Sequence, residues 1–249
     1  MIRNIRSLSG NTLKIIAAIA MLIDHIGVIF YPENMLLRAI GRIAFPIFAF
    51  MLAEGARYTR NKLRHILMLG ALALICQVVY YFATGFLLMS ILVTFTLSLL
   101  LIYLLDAAKR ALLAEDGRRT DRILMPMAFL LAATAVFLFC RFFEVDYGFV
   151  GCMVPVILSL PNTRGIENAP PRLRRLDTVP ARIPLSCLGI LLIALEFGAL
   201  QLFSALAIPF LLLYSGKRGK CRMKYFFYIF YPAHLVILYG LHTLLLLLK

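Results

Sequence analysis

The sequence predicts an all-α, polytopic integral membrane helical bundle of about nine transmembrane helices, with its N-terminus cytoplasmic. Three observations predict it. First, 62% of the 249 residues are hydrophobic and the mean hydropathy is +0.90, whereas soluble domains sit near about 45–50% apolar. Second, the surplus lies in blocks long enough to cross a bilayer, which takes about 20 helical residues. Third, 22 of the 26 Lys and Arg residues fall in five clusters that occupy alternate connections only.

The apolar blocks run over about 13–30, 36–53, 66–84, 86–105, 123–141, 147–160, 184–197, 199–214 and 225–247. The first has no small-residue cleavage motif behind it and reads as a retained span. The blocks at 147–160 and 184–197 are short, so their backbone has to be shielded by neighbours. The basic clusters start at Arg3, Arg57, Lys109, Arg164 and Lys217, while the connections "YPEN", "ATG", "FFEVDYG" and "EFGA" hold almost no positive charge. Positive loops stay cytoplasmic, so the clusters orient the chain and place Lys249 outside. This distribution accounts for the net charge of +14 without nucleic acid. The segment "PNTRGIENAPPRLRRLDTVPARIP", about 161–183, reads as a flexible Pro/Arg-rich cytoplasmic linker in an otherwise single domain over 1–249. The five cysteines form no CxxC pair, which argues against a zinc site or a disulfide framework.

Ionisable residues inside spans are costly and mark functional sites by default. Asp24 and His25 lie toward the outer half of the first span, Arg42 lies in the second, and His234 follows Pro232 in the last. Glu54 closes the second span near the inner face, and Asp146 and Glu196 sit at outer connections. The second span runs back inward, which brings Arg42 to the depth of Asp24. An unpaired charge there is unfavourable, so an Asp24–Arg42 pair is expected, either as a packing device or as part of a site. Lys14 and His25 are eleven residues apart, which returns them to within about 20° on a helical wheel and separates them by about 16 Å. One helix face therefore carries a lysine at the cytoplasmic mouth and a histidine well inside the membrane. A ligand with an anionic head and a long arm, such as a coenzyme A thioester, has the shape to lie along it. Histidine is also the usual general base near neutral pH, although a buried, hydrogen-bonded histidine is the plain alternative. His65 and His242 read as ordinary loop and interface residues. No GxSxG, HExxH or P-loop is present.

The stretches "LSGNTLKIIAAIAMLIDHIG", "RAIGRIAFPIFAFMLAEGARYTRN", "DYGFVG", "YSGKRG" and "YFFYIFYPAHLVILY" resemble the TraX family of bacterial membrane proteins, in the same order along most of the chain. That family is similar to the transmembrane acyltransferase superfamily, and its best-known member N-acetylates a pilin. The resemblance implies transfer of an acetyl or short acyl group from cytosolic acetyl-CoA or another acyl-CoA to an amine or hydroxyl. The acceptor, at or across the membrane, would be a pilin N-terminus, a glycan or a small molecule. The superfamily's basic residue, ten residues and essential histidine correspond to Lys14 and His25. Arg42, Glu54 and Arg57 fall in the second-span block, and Tyr231 and His234 in the "YPAHL" block. The superfamily's motifs after the first span have no clear counterpart here, and their roles are not carried over.

The expected site is therefore His25, Asp24 and Arg42 for catalysis, and Lys14, Arg57, Arg60 and Glu54 around the acyl-CoA. Tyr231, His234, Asp146 and Tyr147 are further candidates, and no metal is expected. The expected setting is the bacterial cytoplasmic membrane, with the lipid bilayer and a homo-oligomer among compatible partners. The competing readings are a proton-coupled transporter or flippase of an anionic substrate, and a catalytically silent assembly factor.

Overall fold

The computed structural model describes residues 7–114, 118–220 and 223–248. Arg3, Arg6, Cys221, Arg222 and Lys249 lie outside the described residues. The first helix, α1 (Gly10–Phe30), starts where the Ser9 hydroxyl accepts the Thr12 N–H at 3.2 Å. Its 21 residues span about 31 Å, one bilayer core. The second span is broken into α2 (Met35–Gly41) and α3 (Ala44–Tyr58), with Arg42 and Ile43 between them. Pro46 explains the break. It has no N–H to give to the carbonyl four residues back, which is that of Arg42. Ser204 satisfies that carbonyl instead, donating its hydroxyl at 3.1 Å.

Helix α4 (Lys62–Thr84) is capped by Asn61 and ends at Gly85, whose φ of +74° favours glycine. Helices α5 (Ile91–Leu113) and α6 (Arg119–Phe142) complete the central crossings. They are followed by α7 (Gly148–Ser159), the six-residue α8 (Pro171–Leu176) and α9 (Val179–Phe197). A 3-10 run (Ala199–Ala207) leads into α10 (Ile208–Leu212), and α11 (Lys224–Leu247) closes the chain.

Among the described residues, seven helices are long and apolar enough to cross a membrane; counted this way, α2 and α3 make one span. The two shorter apolar helices are 148–159 and 199–212. The expected short block at 184–197 is not short: it is the outer part of a helix that begins at Val179. The block at 199–214 is the short one. Its 3-10 run rises about 2.0 Å per residue against 1.5 Å for an α-helix, so few residues cover more depth.

Both short pieces are covered by neighbours. Helix α7 runs beside α5, with Thr94 Oγ1 donating to the Asp146 carbonyl at 2.5 Å and Ser98 Oγ to that of Cys152 at 2.9 Å. The core around them contains Phe45, Phe50, Leu99, Ile102, Cys152 and Leu211, all essentially inaccessible.

The linker reading of 161–183 needs correction. Asn162 donates to the Asp106 carboxylate at 3.4 Å, and Lys109 Nζ donates to the Asn162 carbonyl at 3.0 Å. Asp177 accepts from Arg57 and Arg182 at 2.9 Å each. Polar composition alone reads as solvated loop, but here the charges find partners on α3 and α5 and tie the segment to the bundle end.

Helix α1 approaches α2 closely at glycines. A Cβ on Gly41 would lie 2.3 Å from the Asp24 side chain, and one on Gly27 would lie 2.8 Å from Leu37 Cβ. Gly41→Ala is expected to cost about 1–3 kcal/mol by forcing the helices apart. Thermal unfolding in detergent checks this; a midpoint equal to wild type would show that the approach is not tight.

Candidate active site

Arg42 sits at the α2–α3 break, where the chain leaves one helix and enters the next. Its Nη2 is shared between both oxygens of Asp24, at 2.7 and 2.8 Å, so the expected pair forms. Nη1 donates to the Tyr147 hydroxyl at 3.1 Å, and Nε to the Arg38 carbonyl at 3.3 Å. All three of its nitrogens are thus engaged within the protein, which suits Arg42 to holding Asp24. Arg38 Nη1 reaches the same carboxylate at 3.4 Å.

Arg38 was not among the expected site residues. The signal was present, because Arg38 and Arg42 are four apart and share a helix face.

Tyr147 adopts a left-handed backbone (φ 60°), rare for a residue with a side chain. Its ring stacks on Phe45 at 4.3 Å between centroids, which aims the hydroxyl at Arg42. The preceding connection is held by Met89, which donates its N–H to the Glu144 carbonyl at 2.8 Å and accepts from the Asp146 N–H at 2.9 Å. Burial pushes the Asp146 carboxyl up to about 6, against the pull of Arg42.

His25 lies one residue beyond Asp24 and faces α11. Its Nδ1 is 2.8 Å from the Met21 carbonyl. A carbonyl only accepts, so Nδ1 carries the hydrogen and Nε2 of the neutral ring keeps the lone pair. His234 repeats the arrangement on α11, with Nδ1 2.9 Å from the Phe230 carbonyl and a buried Nε2 that has no hydrogen-bond partner among the described residues. The two rings meet edge to face, 5.0 Å between centroids. Tyr231 packs on His234 at 5.5 Å.

At the other end of the same α1 face, the Lys14 ammonium lies 5.9 Å from the Phe227 ring of α11. The face predicted from the eleven-residue spacing therefore exists and is lined by α11 at both ends. Among the described residues Lys14 has no carboxylate partner.

The expected residues separate into two groups. Asp24, His25, Arg42, Asp146, Tyr147, Tyr231 and His234 come together in the half of the bundle away from the basic loops. Glu54 and Arg57 belong to a separate cluster at the basic end. There Glu54 accepts from Arg57 at 3.2 Å, from Arg182 at 2.7 Å and from the Tyr214 hydroxyl at 3.4 Å. Arg60 is exposed.

Arg182, expected only as a positive-loop residue, is 1% exposed and is the largest fully buried side chain described. The signal missed was the helix start "TVP", with Pro180 in the first turn, which carries α9 back to Val179 and draws Arg182 into it. Among the described residues no three His, Cys, Asp or Glu side chains converge in a way that could hold a metal ion.

A broken span, a buried ion pair and an imidazole pair inside a multi-pass bundle define a membrane protein with a polar centre within its spans. The chain belongs to the TraX protein family, whose pattern it matches over residues 9–242. It is 28% identical to the probable fimbrial assembly protein FimC, serogroup H1, of Dichelobacter nodosus, over 96% of this chain and 97% of that one. It is also 49% identical to an uncharacterised protein of Rickettsia prowazekii (strain Madrid E), over 22% of each chain. No solved structure matches it.

Removing Asp24 leaves Arg42 as an uncompensated charge. Asp24→Ala is expected to lose about 3 kcal/mol of stability, since breaking one side of a buried pair strands the other. Asp24→Asn with Arg42→Gln is expected to recover part of this, and denaturation in detergent compares the two.

A second prediction concerns Asp177. Burial works against its charge, but the Thr163 N–H, Arg57, the Thr163 hydroxyl and Arg182 outweigh it and hold its carboxyl below the ordinary range. A depressed folded-state value stabilises above the unfolded value of about 3.9 and is lost as pH falls through the folded one. The unfolding midpoint of Asp177→Asn should therefore fall less than that of wild type on acidification below about pH 4. Equal acid losses would contradict the assignment.

Proposed function

We propose that this protein is a membrane-embedded acyltransferase that moves an acetyl or short acyl group from cytosolic acyl-CoA to an amine or hydroxyl acceptor. The observation that carries the reading is the α1 face packed against α11, with Lys14 at one end and the paired imidazoles of His25 and His234 at the other. Membership of the TraX family supports it, and so does a relative named for fimbrial assembly, which favours a pilin-type acceptor.

Each residue has a part in the reaction. Lys14 meets the phosphates of the nucleotide head as a point charge. His25 Nε2 takes a proton from the acceptor as its nitrogen or oxygen attacks the thioester carbonyl. The carbon–sulfur bond breaks as the tetrahedral intermediate collapses, and the sulfur leaves as coenzyme A thiol, taking the proton that His25 had accepted. The hydrogen bond from Nδ1 to the Met21 carbonyl keeps the ring in the tautomer this requires. Asp24 lies close enough to favour the imidazolium that forms, and Arg42, Arg38 and Tyr147 hold Asp24 and the α2–α3 break in place. His234 places a second acceptor lone pair beside the first, where an acceptor N–H or O–H can be oriented.

Purified protein incubated with acetyl-CoA and an acceptor preparation is expected to release free thiol. His25→Ala is expected to reduce this by about 10²-fold or more, the usual contribution of a positioned general base. Full release by a folded His25→Ala variant would remove His25 from the chemistry. An absence of both release and acyl-CoA binding would turn the reading to a proton-coupled transporter, which the same buried Asp, His and Arg residues would serve.

A further inference from the structure

The basic end of the bundle holds a constellation that the acyl-transfer step does not use. Arg57 at the end of α3 and Arg182 in the first turns of α9 converge on one carboxylate. Arg57 Nη2 donates to Asp177 Oδ2 and Arg182 Nη2 to Oδ1, both at 2.9 Å. Glu54 takes the other arm of each guanidinium. The Nε of both arginines is buried and has no hydrogen-bond partner among the described residues. A buried cationic donor left without a partner is costly and marks a place for water or an anion. Two of them belong to this one four-charge cluster, and Arg182 is almost wholly buried.

The two carboxylates are attached differently. Glu54 is built into α3 and surrounded by core. Asp177 lies in the non-helical link between α8 and α9, and its remaining contacts, the Thr163 N–H and hydroxyl at 3.0 Å, belong to its own segment. For the stretch from Thr163 to Thr178 to carry Asp177 away from the arginines as a unit, Arg164 has to leave the Tyr58 ring, 4.2 Å away, and buried Ile166 and Ala169 have to come out with it, while Glu54 stays. That stretch has four arginines against two carboxylates, so once displaced it still attracts anions.

We propose that Arg57 and Arg182 form a phosphate-binding fork which Asp177 occupies at rest, and that a phosphate of a soluble cytosolic ligand displaces Asp177 and lifts the 163–178 segment. A phosphate offers more charge and more acceptor oxygens than a carboxylate, and planar guanidinium groups match it in bidentate geometry. Lys14, without a carboxylate partner among the described residues, adds a cation at the same end. Naming coenzyme A as the ligand rests on the acyltransferase reading; the fork itself does not.

Calorimetric titration of the full-length protein in detergent with coenzyme A, and separately with inorganic pyrophosphate, tests this. Asp177→Asn is expected to bind both about tenfold tighter than wild type, because the occupied fork reduces the apparent affinity by the fraction that is open. Coenzyme A is also expected to speed tryptic cleavage after Arg172, Arg174 and Arg175 of wild type, whose side chains are already exposed but whose backbone is held in α8. Equal affinities in a folded Asp177→Asn variant overturn the fork and leave the acyl-CoA reading standing. Pyrophosphate binding to Asp177→Asn, with no coenzyme A binding to either protein, upholds the fork and removes the acyl-CoA reading. Should Asp177→Asn not fold, the wild-type digest decides: unchanged cleavage at saturating coenzyme A and pyrophosphate overturns the proposal. Exposure of the segment in phosphatidylglycerol nanodiscs but not with either soluble ligand assigns the fork to lipid headgroups and overturns a soluble ligand.

Discussion

The Asp24–Arg42 ion pair is the constraint on which the rest of the outer site depends. Inside a span, a guanidinium needs both a counter-charge and acceptors for its remaining hydrogens. Asp24, the Arg38 carbonyl and Tyr147 supply them. Each of these conditions shapes the chain. Gly41 has no side chain because the Asp24 carboxylate occupies the space where a Cβ would stand. Tyr147 accepts a left-handed backbone so that its hydroxyl can reach Arg42. The α2–α3 break, made by Pro46, exposes the Arg42 carbonyl that Ser204 then binds. His25 takes its place on α1 from this arrangement, one residue from the aspartate that α2 grips.

Two short elements connect this centre to the charged cluster at the other end. Helix α7 follows directly on Tyr147, which touches Arg42, and the turn after it places Asn162 on Asp106. The segment from Ala199 carries Ser204 at the Arg42 carbonyl and ends with Tyr214 on Glu54. Neither is long enough to stand alone in lipid, and neither has to. Helix α7 is enclosed by α3, α5 and α9, and the 199–212 segment by α2, α3 and α9, which cover their backbone. Rigid elements that touch both polar centres give the bundle a physical path between its two ends.

Much of the outer site was legible residue by residue. Asp24, His25, Arg42 and His234 stand out because ionisable groups are scarce in apolar spans, and the Lys14–His25 face follows from helical periodicity. Arg182 and Asp177 were not legible in the same way. In a Pro-rich, Arg-rich stretch their charge has an ordinary explanation as a topology signal, and nothing local distinguishes a solvated arginine from one that will be 1% exposed. Arg57 was read as open to a ligand, yet it is already held by Glu54 and Asp177, because a residue's partners from distant segments do not show in its neighbours along the chain.

The sequence by itself determined the class of protein, the apolar segments, the alternation of basic loops and the identity of the costly residues within the spans. These follow from composition and period, which act locally. Only the tertiary structure decided which charge meets which. It joined Asp24 to Arg42 and Tyr147, set His25 against His234, and closed Arg57 and Arg182 on Asp177. Those pairings join residues as far apart in the chain as His25 and His234. In a low-dielectric interior each charge has to find its partner wherever the packed helices present one, and no local pattern records where that will be.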